Sequence, residues 1–193
     1  MLEWRFLMIK KYLGVVTIFF MFLPGCTKDN FVENPLTAEP EGTSLINLPR
    51  SIKAEVGVVF SSSNLVNGDF GGSVILDTLY QGLTGPMKIF AEIKFKAKAF
   101  TGTHLVTMMI DNVSGTVSFN PPLVFVRPAN LDMKFIGLDL NGMNDENISF
   151  VYINPNGNFE PVLCKEIIVN VSERALQLKD AEIKHFSRYG WAR

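Results

Sequence analysis

The chain has 193 residues, a formal net charge of -1, 47% hydrophobic residues, two cysteines and two histidines. Nothing in that balance suggests a nucleic-acid binder, and two cysteines cannot build a disulfide framework. His104 and His185 belong to no Cys/His/carboxylate cluster at ligand spacing, which argues against zinc, and no phosphate loop, nucleotide fingerprint, nucleophile elbow or catalytic carboxylate pair is present.

Taken in chain order, Arg5, Lys10 and Lys11 precede residues 12–23, an uncharged apolar run of about a dozen residues (YLGVVTIFFMFL). That length suits the core of a secretory signal and falls short of the roughly 20 residues a spanning helix needs. Met8 offers an alternative start, MIKKYLG. Leu23-Pro24-Gly25-Cys26 resembles the bacterial lipobox, in which a small residue precedes a cysteine that is acylated and becomes the mature N-terminus. The resemblance implies a signal peptide over residues 1–25, lipidation at Cys26 and a membrane as the first partner. The competing reading is an ordinary signal or uncleaved anchor with an incidental cysteine. Several acyl chains on one cysteine hold a protein firmly, where a single chain binds only reversibly. Thr27-Lys28-Asp29-Asn30 resembles the Lys-acid signal that sends lipoproteins of the Bacteroidota to the outer face of the outer membrane. The localisation this implies is the cell envelope, at the outer membrane and exposed at the surface.

Losing Glu3, Arg5, Lys10 and Lys11 with the signal takes the formal charge from -1 to about -3. Residues 26–50, with Pro35, Pro40 and Pro49 among Asn, Glu, Thr and Gly, read as the lipidated cysteine and a flexible linker. With Cys26 acylated, Cys164 is the one remaining thiol, and no basic neighbour but Lys165 activates it, so it reads as buried and inert.

From residue 51 to 193 the period is two. In residues 87–99, Ile89, Ala91, Ile93, Phe95, Ala97 and Ala99 alternate with Lys88, Glu92, Lys94, Lys96 and Lys98, which predicts one face in a core and one in water. The lysines are either a stripe for anionic polysaccharide or a plain solvated face. Further strands are predicted over 51–60, 73–80, 104–111, 116–119, 123–126, 131–138, 148–153, 166–171, 175–178 and 181–186. Asn67-Gly68, Gly71-Gly72, Gly115 and Asn156-Gly157 supply turn residues that accept positive φ. Strands this dense, with no long stretch of period 3.6 between them, predict an all-β antiparallel β-sandwich. The acidic loop Asp139-Leu140-Asn141-Gly142-Met143-Asn144-Asp145-Glu146-Asn147 lacks the full alternation of a calcium loop and reads as a hairpin connection.

Gly71-Gly72-Ser73-Val74, Gly115-Thr116-Val117-Ser118-Phe119-Asn120-Pro121-Pro122, Phe125-Val126-Arg127-Pro128-Ala129-Asn130-Leu131 and His185-Phe186-Ser187-Arg188-Tyr189-Gly190 together resemble the ZU-five domain. That is a β-sandwich of zonula occludens, ankyrin and netrin-receptor proteins, found also in bacterial surface proteins. In some members a His-Phe-Ser sequence is cut autoproteolytically between Phe and Ser, so the resemblance implies the same chemistry at His185, Phe186 and Ser187. The Ser187 hydroxyl would attack the Phe186 carbonyl, turning amide into ester, with His185 as base and water opening the ester. Period-two alternation places His185 and Ser187 on one face. The structural alternative packs Phe186 and Trp191 in the core and leaves His185, Ser187 and Arg188 on the terminal strand.

Two functions follow. The first is a tethered, non-catalytic binding or structural module whose loops or cationic strand hold a carbohydrate, a peptide or an envelope protein. The second is a self-cleaving domain cut between Phe186 and Ser187. Neither requires a cofactor.

Overall fold

A computed structural model describes residues 44–52 and 57–193. The signal segment 1–25, Cys26, the linker up to residue 43 and positions 53–56 of the first predicted strand lie outside the described residues. The described residues hold strands and turns and no helix. The strands are β1 (Val59–Asn67), β2 (Gly72–Gly82), β3 (Gly85–Phe95), β4 (Thr103–Asp111), β5 (Val117–Asn120), β6 (Val124–Ile136), β7 (Ser149–Ile153), β8 (Phe159–Pro161), β9 (Glu166–Asn170), β10 (Ala175–His185) and β11 (Arg188–Ala192).

They form two antiparallel sheets, β1-β4-β5-β11-β7-β8 and β2-β3-β6-β10-β9, packed face to face as a β-sandwich. Alternation decides which side chains fill the space between them. Met87, Ile89, Ala91, Ile93 and Phe95 of β3 are buried, as are Ala129, Leu131, Met133 and Phe135 of β6. The six-stranded sheet answers with Val106, Met108, Ile110, Val117, Phe119, Phe150, Tyr189 and Trp191. Apolar burial of this extent is the main favourable term in folding.

The strand ends differ from the sequence reading for local reasons. The segment predicted over 51–60 is displaced to β1, which runs to Asn67 and turns at Gly68. The segments predicted as two strands over 123–126 and 131–138 merge into β6, which starts at Val124, ends at Ile136 before Gly137, and pairs with β10 on both sides of a register shift. The segments predicted over 175–178 and 181–186 likewise merge into one strand, β10, which ends at His185. Leu178 and Ala181 are three apart and would fall on opposite faces, but a bulge at Lys179 and Asp180 restores the phase. Asp180 takes φ 51° there, and its N–H donates to Asp132 Oδ1 at 2.9 Å.

Residues 44–50, read from the sequence as the end of the linker, are part of the sandwich. Ile46 N–H donates to the Trp191 carbonyl at 2.8 Å, and Leu45 bridges Ala192, so this segment pairs with β11 where β5 has ended. The chain then crosses to the other sheet. Tyr80 Oη–H donates to the Pro49 carbonyl at 2.8 Å, and Ile52 N–H to that of Gln81 at 3.0 Å. In between, Ile46 and Leu48 are only 6% and 3% exposed. Residues 44–52 thus strap one end of the sandwich shut. Prolines and polar residues disguised two core side chains as tether.

Candidate functional site

The cationic stripe predicted on β3 is broken twice. Strand pairing stops at Phe95, so Lys96 and Lys98 leave the sheet for the β3–β4 loop, where Lys98 takes φ 64°. The two lysines left on the strand face are neutralised: Lys88 sits 3.5 Å from Asp77, and Lys94 lies 3.2 Å from Glu92 and 2.8 Å from Asp132. Hydrogen bonds to Asp132 and Glu92 raise the Lys94 pKa above its ordinary value. Burial opposes ionisation of Asp132. Hydrogen bonds from Lys94 and the Asp180 N–H overcome that opposition, aided by the Lys94 and Lys179 charges, and hold its carboxyl below the usual range.

His185, Phe186 and Ser187 lie where the chain leaves β10 in one sheet and enters β11 in the other. The strand alternation that would align His185 with Ser187 is interrupted by that crossing. The His185 ring packs edge-on against Tyr152, with centroids 4.7 Å apart, while its carbonyl accepts from Tyr189 Oη–H at 2.6 Å. Among the described residues no hydrogen bond joins the imidazole to the Ser187 hydroxyl, the Phe186–Ser187 peptide is not cis, and neither residue adopts positive φ. Phe186 is buried, stacked on Phe119 at 5.1 Å and edge-on to Phe125 at 4.9 Å. Its N–H donates to the Leu123 carbonyl at 2.7 Å.

The acidic loop from Asp139 to Asn147 joins the two sheets and is not a hairpin. Leu140 buries itself near its start, and Asn144 Oδ1 accepts from the N–H groups of Glu146 and Asn147. No group of three or more His, Cys, Asp or Glu placed to hold a metal occurs among the described residues. Cys164 is half-buried, and burial pushes its thiol pKa up, which disfavours the reactive thiolate. Cys26 lies outside the described residues.

The arrangement that sequence reasoning missed is the end of the sandwich opposite the strap. Three segments meet there: the β1–β2 turn, the β3–β4 loop and the start of β6. Lys98 N–H donates to the Gly68 carbonyl, Gly68 N–H to that of Gly102, and Val126 N–H to that of Ala99, each at 2.8 Å. A side chain at Gly68 would put Cβ 2.0 Å from the Phe100 carbonyl oxygen, so this close approach requires glycine. Beneath the loops, Phe95, Phe100, Phe119, Phe125 and Phe186 form one aromatic floor with centroids 4.9 to 6.0 Å apart.

Above that floor the surface is unusual. Phe70, Val126 and Val124 are 84%, 82% and 81% exposed. Lys96, Lys98, Arg127, Lys184 and Arg188 stand in the same loops and strand ends, all exposed, and the acids in or beside these segments are Asp69 and Glu182. None of these five cations is in an ion pair among the described residues, in contrast to Lys88, Lys94 and Lys179. Two local signals pointed here: Phe70 within a Gly-rich turn, where it had no strand face to occupy, and Pro128, which donates no N–H and sits where β6 bulges between Val124 and Ala129. Chemically, apolar tips set among uncompensated positive charge suit a partner both anionic and amphipathic.

Comparison with known protein families, with curated proteins and with solved structures finds no match to this chain.

Proposed function

We propose that the chain is a bacterial envelope lipoprotein, anchored through lipid on Cys26 at the outer membrane and exposed at the surface, whose ZU-five-like sandwich is a non-catalytic binding module. The observation that carries the binding role is the open end, where Phe70, Val124 and Val126 stand exposed among five unpaired cations on loops held by backbone hydrogen bonds. Loops on a rigid sandwich are where such scaffolds carry recognition. The anchoring role rests on the charged leader, the short apolar run and Leu23-Pro24-Gly25-Cys26.

The test of anchoring is the mass of the N-terminal peptide from cells. A diacylated Cys26 peptide that disappears in Cys26→Ser, with the protein moving out of the membrane fraction, is the expected result. An unmodified cysteine in a membrane-bound chain overturns it. The test of binding is a comparison of Phe70→Ser/Val126→Ser with the native chain on immobilised envelope glycans and envelope proteins. Retention that these substitutions leave unchanged removes the open end from the reading.

Cleavage at Phe186–Ser187 is separable from both. Denatured intact mass of the native chain and of Ser187→Ala is expected to end at Arg193 in each. A native mass ending at Phe186, restored to full length by the substitution, makes this a self-processing protein. Denaturation is essential, because β11 lies between β5 and β7 and a cut strand would stay docked.

A further inference from the structure

The groove of about 450 Å³ between Leu48, Leu83, Leu138 and Met143 is part of the strapped end, and among the described residues neither buried donor without a partner, Asn112 Nδ2 or Trp191 Nε1, lines it. The cleft of about 250 Å³ between β1 and β2 is lined by Ser61, Ser62 and Ile75 and carries no charge but Asp77. The buried, unsatisfied Nε1 of Trp191 and Nδ2 of Asn112 are single donors with no cluster around them. None of these selects a partner. Charge and exposed apolar area at the open end do.

We infer that the open end docks on an anionic lipid bilayer, with Phe70, Val124 and Val126 entering the headgroup boundary and Lys96, Lys98 and Arg127 on lipid phosphates. This names the partner of the surface proposed above and rests on that reading. A soluble polyanion would use the cations, but would gain nothing from three apolar side chains more than 80% exposed. A bilayer rewards both: each cation near an anionic surface improves partition about fivefold, and an apolar side chain buried in the interface about tenfold or more. The floor supplies rigidity, because Phe125 is buried between exposed Val124 and Val126 and holds that segment in place.

An anchor at Cys26 is compatible with such docking. Residues 27–43 span at most about 60 Å at roughly 3.5 Å per residue. A β-strand of 11 residues such as β2 is about 36 Å long. The tether therefore has the reach for a domain attached at its strapped end to lay its open end on the same membrane.

The experiment uses the acylated protein reconstituted in vesicles, with Cys164→Ser and a single nitroxide at position 70 (Phe70→Cys) or, as a control at the strapped end, at position 83 (Leu83→Cys). Accessibility is read with lipid-soluble oxygen and with a water-soluble nickel chelate. On vesicles of phosphatidylethanolamine and phosphatidylglycerol, position 70 is expected to gain oxygen collisions and lose nickel collisions, while position 83 keeps its aqueous signature. Phosphatidylcholine vesicles, or Lys96→Glu/Lys98→Glu/Arg127→Glu on the anionic ones, are expected to return position 70 to water, with docking weakened about a hundredfold or more. Water access at position 70 on anionic vesicles overturns the inference. So does equal shielding at position 83, or shielding of position 70 by dissolved heparin with no gain in oxygen collisions. The N-terminal peptide mass reports acylation separately. If Cys26 proves unmodified, sedimentation of the native and charge-reversed chains with added vesicles, at low and high salt, decides docking by itself.

Discussion

At the strapped end, residues 44–52 lay Ile46 and Leu48 into the gap between the sheets and hydrogen-bond to both; at the open end the gap is filled from within by five phenylalanines. The consequences diverge. The strap turns Ile46 and Leu48 inward and leaves Ile52 and the neighbouring Leu83 exposed, and Arg174 is spent on the Leu138 and Gly137 carbonyls. The open end needs no such cover, so the tips of its loops are released from packing, and Phe70, Val124 and Val126 face outward with the unpaired lysines and arginines. The strap and the proposed recognition surface thus lie at opposite ends of one core. Inside the open end itself they are separated by a single layer, since Phe125 is buried and its two neighbours are exposed.

Five measurements break or sharpen that comparison. The largest effect belongs to the floor of the open end: Phe186→Ala, which removes a stacked ring, is expected to cost about 3–5 kcal/mol by urea unfolding. A cost under about 1 kcal/mol would mean the rings are not a packed layer. Next, Leu48→Ala is expected to cost about 2–5 kcal/mol, a core value for a residue in what the sequence presents as linker. If it behaves as a surface position, the strap is no part of the core.

Gly115→Ala is a sharper probe of the same contact. Gly115 has φ +63°, and a Cβ there would meet the Ile46 carbonyl oxygen at 2.5 Å, so a loss of at least about 1–2 kcal/mol is expected. Its selective signature is faster hydrogen exchange at the Ile46 amide, which would be absent if the strap were held by other contacts.

Tyr80 gives a pH handle on the strap. Burial pushes its phenol up to about 12, while its hydroxyl donates to Pro49. A raised folded-state pKa favours the neutral phenol, so this stability is fully present below about pH 10 and falls as pH rises toward 12. Tyr80→Phe is expected to cost about 1 kcal/mol at neutral pH and to flatten the alkaline loss measured by urea midpoints. An unchanged alkaline slope would assign that loss to Tyr189, whose phenol burial also raises above its ordinary value.

The smallest effect is the most telling for function. Phe70→Ser and Val126→Ser are expected to change stability by no more than about 0.5 kcal/mol, since side chains so exposed contribute almost nothing to the core. A loss of several kcal/mol at either position would show that these residues are structural.

Much of this was legible in the residues. The alternation of Ile89, Ala91, Ile93 and Phe95 with polar neighbours marks β3, because a strand with one wet face writes its burial into every second position. Asn156-Gly157 marks the β7–β8 turn, where Gly157 takes φ 85°. Other features were hidden because their cause is distant in sequence. Leu178 and Ala181 look like the edges of two strands until the bulge at Asp180, held by Asp132, joins them.

Local chemistry therefore decided the β class, the two-faced strands and the turns, since each depends on neighbours within a few residues. Tertiary structure decided what depends on partners far along the chain. It made Ile46 and Leu48 core residues by giving them a gap between sheets to fill. It divided the lysines, pairing Lys88 with Asp77 and Lys94 with Asp132 while leaving Lys96 and Lys98 on a loop with Phe70 and Val126. A cation's value depends on which charges and apolar groups surround it, and only the fold brings residues 70, 96, 98 and 126 to one end.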